Sequence, residues 1–373
     1  MNPKPPLIIL NALIFGLTGL AALTLAPLHG YLVGYQTETL VLAVLLWAWN
    51  GLSITAGYHR LWSHKAYAAH PAVQWFLAIG GAMALQNSIL HWASDHRRHH
   101  KHVDHDSKDP YSASRGFWYS HIGWMLRNYQ GEPDYSNARD LQKNAIVMFQ
   151  HKHYAVLVLA TNIALPLLAG VLIGDIWGTF LMAGVVRLVA MHHGTFFINS
   201  LAHIWGSQPY SDKQSSRDNG VIALLTFGEG YHNFHHTFEY DWRNGIRWFH
   251  FDPTKWLIGA LAKLKLASNL REVPAERIET AKLQMQLKQS KAMLLDRGLP
   301  EEWLNKLEHQ YQSVLERMKL YYQAKQQTLK EKRQHLDSSA KSQLKEMKQC
   351  LQEQQQQWLK LRQQLATATL ANG

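Results

Sequence analysis

The histidines of this chain fall into three compact clusters with spacings suited to binding metal. The sequence has 22 histidines among 373 residues. The clusters are His59 to His64, His96 to His100 and His232 to His236, with the patterns H-x4-H, H-x2-H-H and H-x2-H-H. In the last two patterns the imidazoles share one face of a helix, so a single short helix can supply two or three ligands. Three such clusters in one chain indicate metal binding.

The number and type of these residues indicate two metal ions. The clusters hold too many histidines for one tetrahedral zinc, whose catalytic sites use three protein ligands and whose structural sites use four. Cys350 is the single cysteine, so the chain cannot build a disulfide framework or a site that depends on several cysteines. Because imidazole suits iron, zinc, copper and nickel, ligand type alone leaves the element open.

Apolar segments of membrane-spanning length lie beside the clusters. Residues 5–59 contain no lysine or arginine and include two apolar blocks, about 7–28 and 38–57. A second pair follows at about 154–174 and 176–199. Each block has the roughly 20 residues that are needed to cross the hydrocarbon core of a bilayer. We therefore predict an all-α integral membrane protein with four transmembrane helices in two hairpins.

The distribution of positive charge predicts the orientation. Lysine and arginine are absent from the hairpin tips but frequent in 60–152 and after residue 200. The positive-inside tendency then places both termini and all three histidine clusters in the cytoplasm, within a helical cap. The apolar stretch 71–90 would separate the clusters if it crossed the bilayer, so we predict an interfacial helix there.

The net charge of +11 is consistent with cytoplasmic segments that face anionic lipid. No nucleic-acid partner is therefore expected. The expected location is a bacterial inner membrane.

The last third of the chain has a different character, rich in glutamine, lysine, glutamate and leucine. From residue 307 apolar side chains recur at alternating steps of four and three, which is typical of a coiled coil or a long amphipathic helix. We predict a membrane domain over 1–269 and a helical, coiled-coil-like extension over 270–373. The pattern leaves open a helix that packs on itself or on the membrane surface and one that drives self-association. The stripe consists of Leu307, Tyr311, Val314, Met318 and Tyr321.

The fuller strings around the histidines resemble the membrane fatty acid desaturase family, in particular its acyl-CoA Δ9 (stearoyl-CoA type) branch. The strings are Gly57 to His64, Asp95 to His100 and Gly228 to His236, and Asn199 to His203 also matches. The resemblance covers about residues 35–260. It implies a non-haem centre of two iron ions that uses O2.

The resemblance also implies the ligands. One iron takes His59, His64, His96 and His100 with either His235 or His232, and the other takes the remainder. Where relatives often have Asp-Pro-His, this chain has Asp109-Pro110-Tyr111, so an auxiliary histidine is lost. Asp109 and Glu229 lie close enough in sequence to orient imidazoles. The full implied set is His59, His64, His96, His99, His100, His203, His232, His235, His236, and Asn199 through a water molecule.

The implied reaction is the O2-dependent insertion of a cis double bond, expected at Δ9, into a saturated acyl-CoA. The alternative is a fatty-acid or alkane hydroxylase on the same irons. A histidine-rich metal transporter is disfavoured because the interiors of the first three spans lack coordinating groups. A degenerate, non-catalytic membrane part is disfavoured by the intact ligand set. The carrier could also be acyl carrier protein or phospholipid.

The resemblance and the residue types also suggest the substrate contacts. Asn87 and Asp95 match positions that contact the carrier, and Trp92 and Thr195 match positions that line the acyl tunnel. Further candidates are Trp62 and Phe196 for the tunnel, Trp47 for its far end, and Arg98 and Arg127 for the phosphates of CoA.

The chain carries no G-x-G-x-x-G dinucleotide fingerprint, no appended haem-binding domain and no cysteine set for a cluster. Electrons are therefore expected from an external ferredoxin or cytochrome with its reductase.

Overall fold

A computed structural model describes residues 4–332 and 339–368, and the two chain ends lie outside it. Helices dominate this part of the chain, where the only strands are Ala68–Ala69 and Ala267–Ser268, paired antiparallel. The predicted all-α membrane fold is confirmed. Four helices are long and apolar enough to span a bilayer, here called the first to fourth spans: Ile9–Leu32, Thr37–Ser63, Tyr154–Ile173 and Ile176–His203.

The four spans differ in how deeply they are buried. In the most apolar 18 residues of each span, 6% are buried inside the protein in the first span and 17% in the third. The buried share is 50% in the second span and 56% in the fourth. The first and third spans therefore present apolar side chains outward, as lipid-facing helices do. The second and fourth spans form the interior of the bundle, and they carry His59 and His203 near their ends.

The second span changes from an α-helix to a π-helix over Ser53–Ser63. In this segment backbone N–H groups bond to the fifth residue back, as His64 N does to His59 O at 3.1 Å. Five residues in an α-helix would turn His59 and His64 to different sides, whereas the wider helix brings them together. Their ring centroids are 4.8 Å apart. This explains how an H-x4-H pattern can serve one site.

The apolar stretch predicted as one helix over 71–90 is two helices separated by a bend. The first ends at Ala82, because Leu85 and Asn87 have φ of 51° and 70°, outside the helical region. Ser88 then caps a new helix, Ile89–His102, by accepting a hydrogen bond from a backbone N–H of its first turn. The predicted boundary was therefore wrong. The correction matters because the second helix carries the central histidine cluster.

Short helices complete the cap around the histidines. The longer ones are Pro71–Ala82, Ala145–Lys152, Gly220–Leu225, His232–Thr237 and Pro253–Lys263. Single turns lie at Ala113–Arg115, Tyr119–Gly123, Trp124–Leu126, Ser136–Ala138, Arg139–Gln142 and Leu201–His203.

A buried ion-pair network ties the end of the second span to the cap. Arg60, 1% exposed, donates to Glu229 at 2.9 Å, to Asp252 at 3.0 Å and to the carbonyl of Trp242 at 2.9 Å. Asn244 donates to the other oxygen of Glu229 at 2.7 Å. Because every charge in this network has a partner, it can be buried without an uncompensated desolvation cost. The network therefore fixes the end of the second span, which carries His59, relative to the segment that carries His232.

The chain divides into two compact units, residues 1–207 with 213–272, and residues 208–212 with 273–373. The second unit contains Ala275–Asp296, Glu301–Lys332 and Ser339–Thr367. The apolar stripe predicted from residue 307 is buried there against residues of the last helix, and Trp358 donates to Gln286 at 2.8 Å. Since the stripe is covered within the chain, it gives no support to self-association, which stays a prediction.

Candidate metal centre

The nine histidines named by sequence come together in one place, as two adjacent groups. Within each group, one ring nitrogen from every histidine lies within 4.8 Å of those of the others. The structure places His235 in the first group and His232 in the second. The five-histidine group is His59, His64, His96, His100 and His235, and the four-histidine group is His99, His203, His232 and His236.

Four separate elements supply these side chains. The π-helical end of the second span gives His59 and His64, and the end of the fourth span gives His203. Helix Ile89–His102 contributes to both groups, because His99 belongs to the four-histidine group whereas His96 and His100 belong to the five-histidine group. Helix His232–Thr237 is divided between the groups in the same way.

The inward nitrogens approach one another very closely. The Nε2 atoms of His64 and His96 are 2.8 Å apart, and those of His59 and His100 each lie 3.0 Å from that of His235. In the four-histidine group the corresponding distances are 3.0 Å between His232 and His236, 3.1 Å between His232 and His203, and 3.3 Å between His99 and His236.

Carboxylates hold the outward nitrogens of three of these rings. Nδ1 of His59 lies 2.8 Å from Glu229, and Nδ1 of His99 lies 2.8 Å from Asp109. His100 makes a similar contact with Glu239 at 3.2 Å. Ionised carboxylates only accept hydrogen bonds, so each of these imidazoles carries its proton on Nδ1. The Nε2 lone pair then faces inward, as in histidine ligands oriented by an outer carboxylate.

Burial favours the neutral form that binds metal in several of the nine rings. Burial lowers the pKa of His64, His96 and His235 well below the ordinary value, and neighbouring histidines lower it further. The pKa of His232 and of His236 is lowered for the same reasons.

His100 has partly opposed influences on its charge. Its burial brings the pKa to about 4, although Glu239 acts in the opposite direction. Burial raises the pKa of Glu229, but His59 and Arg60 outweigh this effect and leave it below its usual range. The carboxylate at this position is therefore charged.

The arrangement fits bound cations. Neutral rings that point their lone pairs at one another from about 3 Å repel, and burial removes the water that could separate them. A metal ion between the rings converts that repulsion into coordination. Because the inward donors of both groups are imidazoles, the donor set is compatible with iron without selecting it over other imidazole-binding metals.

A cavity of about 350 Å³ lies beside the metal centre. Its wall contains eight residues that sequence reasoning named for substrate or water contacts. A narrower cavity of about 30 Å³ shares Trp92, Thr195 and Asn199 with it and continues to His59, His96, His99 and His232. The eight wall residues are Asn87, Trp92, Asp95, Arg98, Arg127, Thr195, Phe196 and Asn199.

Comparison with known proteins decides the family. The model of the family described as "Fatty acid desaturase" matches residues 37–268, more than half of the chain. The chain belongs to the fatty acid desaturase family. All three histidine clusters and Asn199 fall inside the matched range, whereas almost all of the second unit falls outside it.

Curated members of this family align with most of the chain. It is 44% identical over 320 residues to a probable acyl-CoA desaturase of Schizosaccharomyces pombe, covering 82% of this chain and 63% of the relative. It is 43% identical over 266 residues to acyl-CoA desaturase 1 of Saccharomyces cerevisiae, covering 70% and 50%. It is 36% identical over 249 residues to stearoyl-CoA desaturase 5 of Homo sapiens, covering 64% and 75%. The chain thus spans less than two thirds of the two yeast relatives.

Membership of this family, together with the four apolar helices, makes the chain an integral membrane protein. These relatives are eukaryotic. The expectation of a bacterial inner membrane gains no support from them.

In this family member, two predicted tunnel residues lie away from both cavities. Trp62 is buried against Tyr58, with ring centroids 6.1 Å apart, and Trp47 packs on Phe227 at 4.6 Å. Neither lines the space that leads to the histidines. Their roles in substrate binding stay predictions.

Sequence reasoning missed several groups that touch the candidate ligands, among them Tyr111 and Glu239. Tyr111 was treated there only as the loss of a histidine. Its hydroxyl lies 3.1 Å from Nδ1 of His96, and the centre of its ring lies 4.5 Å from the centre of the His99 ring. Glu239, beside His100, was not named at all. Its position three residues after the last cluster was a weak signal, because Glu239 lies beyond the end of helix His232–Thr237 and contacts a histidine of another helix.

Proposed function

We propose that this chain is an O2-dependent acyl-CoA desaturase that introduces a cis double bond, at Δ9, into a saturated fatty acyl chain. The observation that carries the proposal is the meeting of nine imidazoles at the inner end of a cavity with a polar mouth and an aromatic neck. Family membership and relatives named as acyl-CoA and stearoyl-CoA desaturases support the same activity.

The proposed ligands follow the two groups. The five-histidine group binds one iron, and the four-histidine group binds the other with a water held by Asn199. Two irons bound there would supply, with O2, the oxidising power that an unactivated C–H bond requires. Catalytic metal sites keep an open coordination position, and the smaller group offers one.

The mouth of the larger cavity suits the polar head of the substrate. Arg98 and Arg127 line it and could pair with the phosphates of CoA, which guanidinium groups recognise well. Arg98 lies 3.6 Å from Asp95 and donates a hydrogen bond to Gln130 at 3.3 Å, and these contacts hold its guanidinium in the mouth. Asn87, with its positive φ, presents an amide at the bend between the two cap helices.

The neck between the two cavities would orient the acyl chain and exclude water. Trp92 stacks on His96 with centroids 4.8 Å apart and planes 20° from parallel, so one indole face borders the metal centre. Thr195 accepts a hydrogen bond from Gln86 at 2.9 Å, and this contact holds it in the opposite wall. An acyl chain threaded between them would lie beside His59 and His232, and the distance from the thioester at the mouth to this point would set the bond that is oxidised.

The histidine end of the spans is placed in the cytoplasm in this proposal. The positive-inside tendency supports this orientation. The external donor would be a ferredoxin or cytochrome with its reductase. The identity of the membrane, taken from sequence as a bacterial inner membrane, stays a prediction.

Expression in a yeast auxotrophic for unsaturated fatty acids tests the activity. We expect growth without supplement and a new cis-Δ9 olefin in the extracted lipids, measured by gas chromatography with mass spectrometry. His100→Ala should abolish both. His105→Ala is the matched control, because this exposed histidine lies outside both groups. A hydroxylated product would assign the same centre to a hydroxylase, and an olefin from His100→Ala would contradict the proposed site.

A further inference from the structure

Part of the cap packs against the two interior spans within their apolar lengths. This segment, residues 220–227, begins with a helix of 6 residues. A Cβ added at Gly194 of the fourth span would lie 3.4 Å from the carbonyl oxygen of Leu225. The ring of Phe227 leaves no room for a Cβ at Gly51 of the second span. The segment therefore lies against both spans well before either of them reaches its histidines.

The first span shows how deep this level is in a bilayer. Ile9, at the cap end of that span, is 66% exposed, as a lipid-facing residue is. Phe15, six residues further along, contacts Phe196 of the fourth span, with ring centroids 5.6 Å apart. At 1.5 Å per helical residue, Phe196 lies about 9 Å below the start of the first span. Gly194 is still deeper, and Leu225 lies against it.

The helix of this segment turns an apolar face outward. Val221, Leu224 and Leu225 are 53–54% exposed, and their i, i+3, i+4 spacing puts them on one side. Ile222 and Ala223, which pack into the protein, are buried. The helix has no charged residue. An apolar face at this depth, without charge, fits hydrocarbon as its surroundings.

The backbone of the segment also suits this environment. The side chain of Asn219 caps the helix by accepting hydrogen bonds from two backbone N–H groups of its first turn. At the other end the N–H of Gly228 donates to the carbonyl of Ala223 at 2.9 Å. The irregular residues 226–230 are all buried. Non-helical backbone at membrane depth is tolerated only where protein covers it, and this segment meets that condition.

Exposed aromatic side chains lie near the segment. Trp205, directly after the fourth span, is 50% exposed, and Trp248 is 90% exposed. The loop that carries Trp248 is held beside the segment, because His250 stacks on Tyr231 with ring centroids 4.3 Å apart. Indole rings favour the headgroup level of a bilayer, where one part of the ring meets hydrocarbon and another meets water.

We propose that residues 220–227 form a re-entrant membrane segment whose outer face lies among the lipid acyl chains, with Trp205 and Trp248 at the headgroup level. The surface continues the lipid-facing side of the spans onto the cap. Thr226 of the same segment lines the narrower cavity beside His232, so the segment stands between that cavity and the lipid. The inference concerns the lipid contact of the cap and does not depend on the reaction that the metal centre catalyses.

Spin labels on the full-length protein in phosphatidylcholine nanodiscs test the proposal. With Cys350→Ser as the background, labels are attached at Leu224→Cys and Trp248→Cys. Two references are Leu13→Cys, on the lipid-facing first span, and Lys108→Cys, at an exposed position of the cap. Electron paramagnetic resonance measures relaxation of each label by O2, which concentrates in hydrocarbon, and by a nickel chelate, which stays in water.

We expect the label at Leu224→Cys to match that at Leu13→Cys in its relaxation by O2. Its relaxation by nickel should be about 10-fold lower than at Lys108→Cys, because a polar chelate partitions poorly into hydrocarbon. The label at Trp248→Cys should give intermediate values. Nickel relaxation at Leu224→Cys equal to that at Lys108→Cys would place the face in water. Weak relaxation by both agents would place it against protein, such as a second copy of the chain, and either result would overturn the proposal.

A charged substitution gives a check that needs no label. Leu224→Glu would place a carboxylate in hydrocarbon, so the thermal midpoint in nanodiscs should fall by several degrees. Leu295→Glu is the matched control, because this leucine is 78% exposed in the second unit, and its midpoint should stay unchanged. Equal midpoints for the two variants would contradict a lipid-embedded segment.

Discussion

The two histidine groups differ in how their outward nitrogens are held. In the five-histidine group, Nδ1 contacts Glu229 from His59, Tyr111 from His96 and Glu239 from His100. In the four-histidine group, His99 contacts Asp109 and His203 contacts Ser215.

The last two rings of the smaller group are less restrained. Nδ1 of His232 and of His236 is buried and has no hydrogen-bond partner within the described residues. The smaller group thus has fewer ligands and fewer outward contacts, two against three, and outer contacts of this kind raise metal affinity. We infer that its metal is held less tightly and is the more accessible to reactants.

Loss of a ligand from either group should have the largest effect. Replacing an outer partner of a metal ligand costs about 10-fold to 100-fold in affinity or activity, and loss of the ligand itself should cost more. We expect His96→Ala and His236→Ala each to reduce olefin formation by more than about 100-fold. Iron analysis by mass spectrometry should show that His236→Ala keeps the iron of the five-histidine group. Two irons per chain and normal activity in either variant would remove that histidine from the site.

The carboxylates that contact the outward nitrogens should affect iron binding according to their burial, and not according to the histidine group that they serve. Asp109 is fully buried and 2.8 Å from His99, whereas the side chain of Glu239 is 55% exposed and 3.2 Å from His100. We expect Asp109→Asn to weaken iron binding by about 10-fold to 100-fold and Glu239→Gln by less than about 10-fold. Iron dissociation against a chromogenic chelator measures both. The reverse ranking would mean that hydrogen bonding to the outer carboxylate does not set affinity here.

Asn199 should matter to the smaller group only. It borders both cavities at the end of the fourth span, beside His99 and His232 in the wall of the narrower one. For Asn199→Leu we expect a decrease of about 10-fold in olefin formation, because the side-chain amide can no longer hold a water. The five-histidine group should keep its iron. Equal loss of iron from both groups would show that this side chain acts on the fold.

Acidification near neutral pH should have the smallest effect of these changes. In the metal-free protein it should act on stability through both histidine groups. The pKa of His100 is about 4 in the folded protein, whereas an unfolded histidine has a pKa near 6.5. Between these values the unfolded chain binds the proton more readily, so stability decreases as pH falls from about 6.5 toward 4.

The thermal midpoint of chelator-treated protein should therefore be lower at pH 5 than at pH 7, by several degrees. Glu239→Gln should accentuate the decrease, because it removes the group that favours protonated His100. A midpoint that rises on acidification would contradict the burial of these rings in the neutral form.

Much of the site followed from local sequence, because histidine spacing and the distribution of charge are local signals. The four spans and the fold class were predicted in this way and are confirmed. The end of the helix at Ala82 was not, since hydropathy continues through Leu85 and the positive φ at Asn87 is a property of the packed bend. The π-helix over Ser53–Ser63 was also missed, because an H-x4-H pattern does not reveal a change in backbone hydrogen bonding.

Contacts between distant segments were the least accessible to sequence reasoning. The apolar stripe at Leu307 and Met318 has the same pattern whether it packs within the chain or between chains. Glu229 pairs with both His59 and Arg60. These pairs form only because the fold brings together residues that are separated by 170 and 169 positions in the sequence. Partners of this kind carry no spacing pattern.

X-ray absorption at the iron edge of the loaded, fully active protein, combined with metal analysis, tests the central claim most directly. That claim is that nine imidazoles hold two irons in two adjacent groups. The account predicts two irons per chain, coordination by nitrogen and oxygen only, and strong outer-shell scattering from several imidazole rings. One iron per chain, scattering from sulfur, or fewer than about two imidazoles per iron would contradict it.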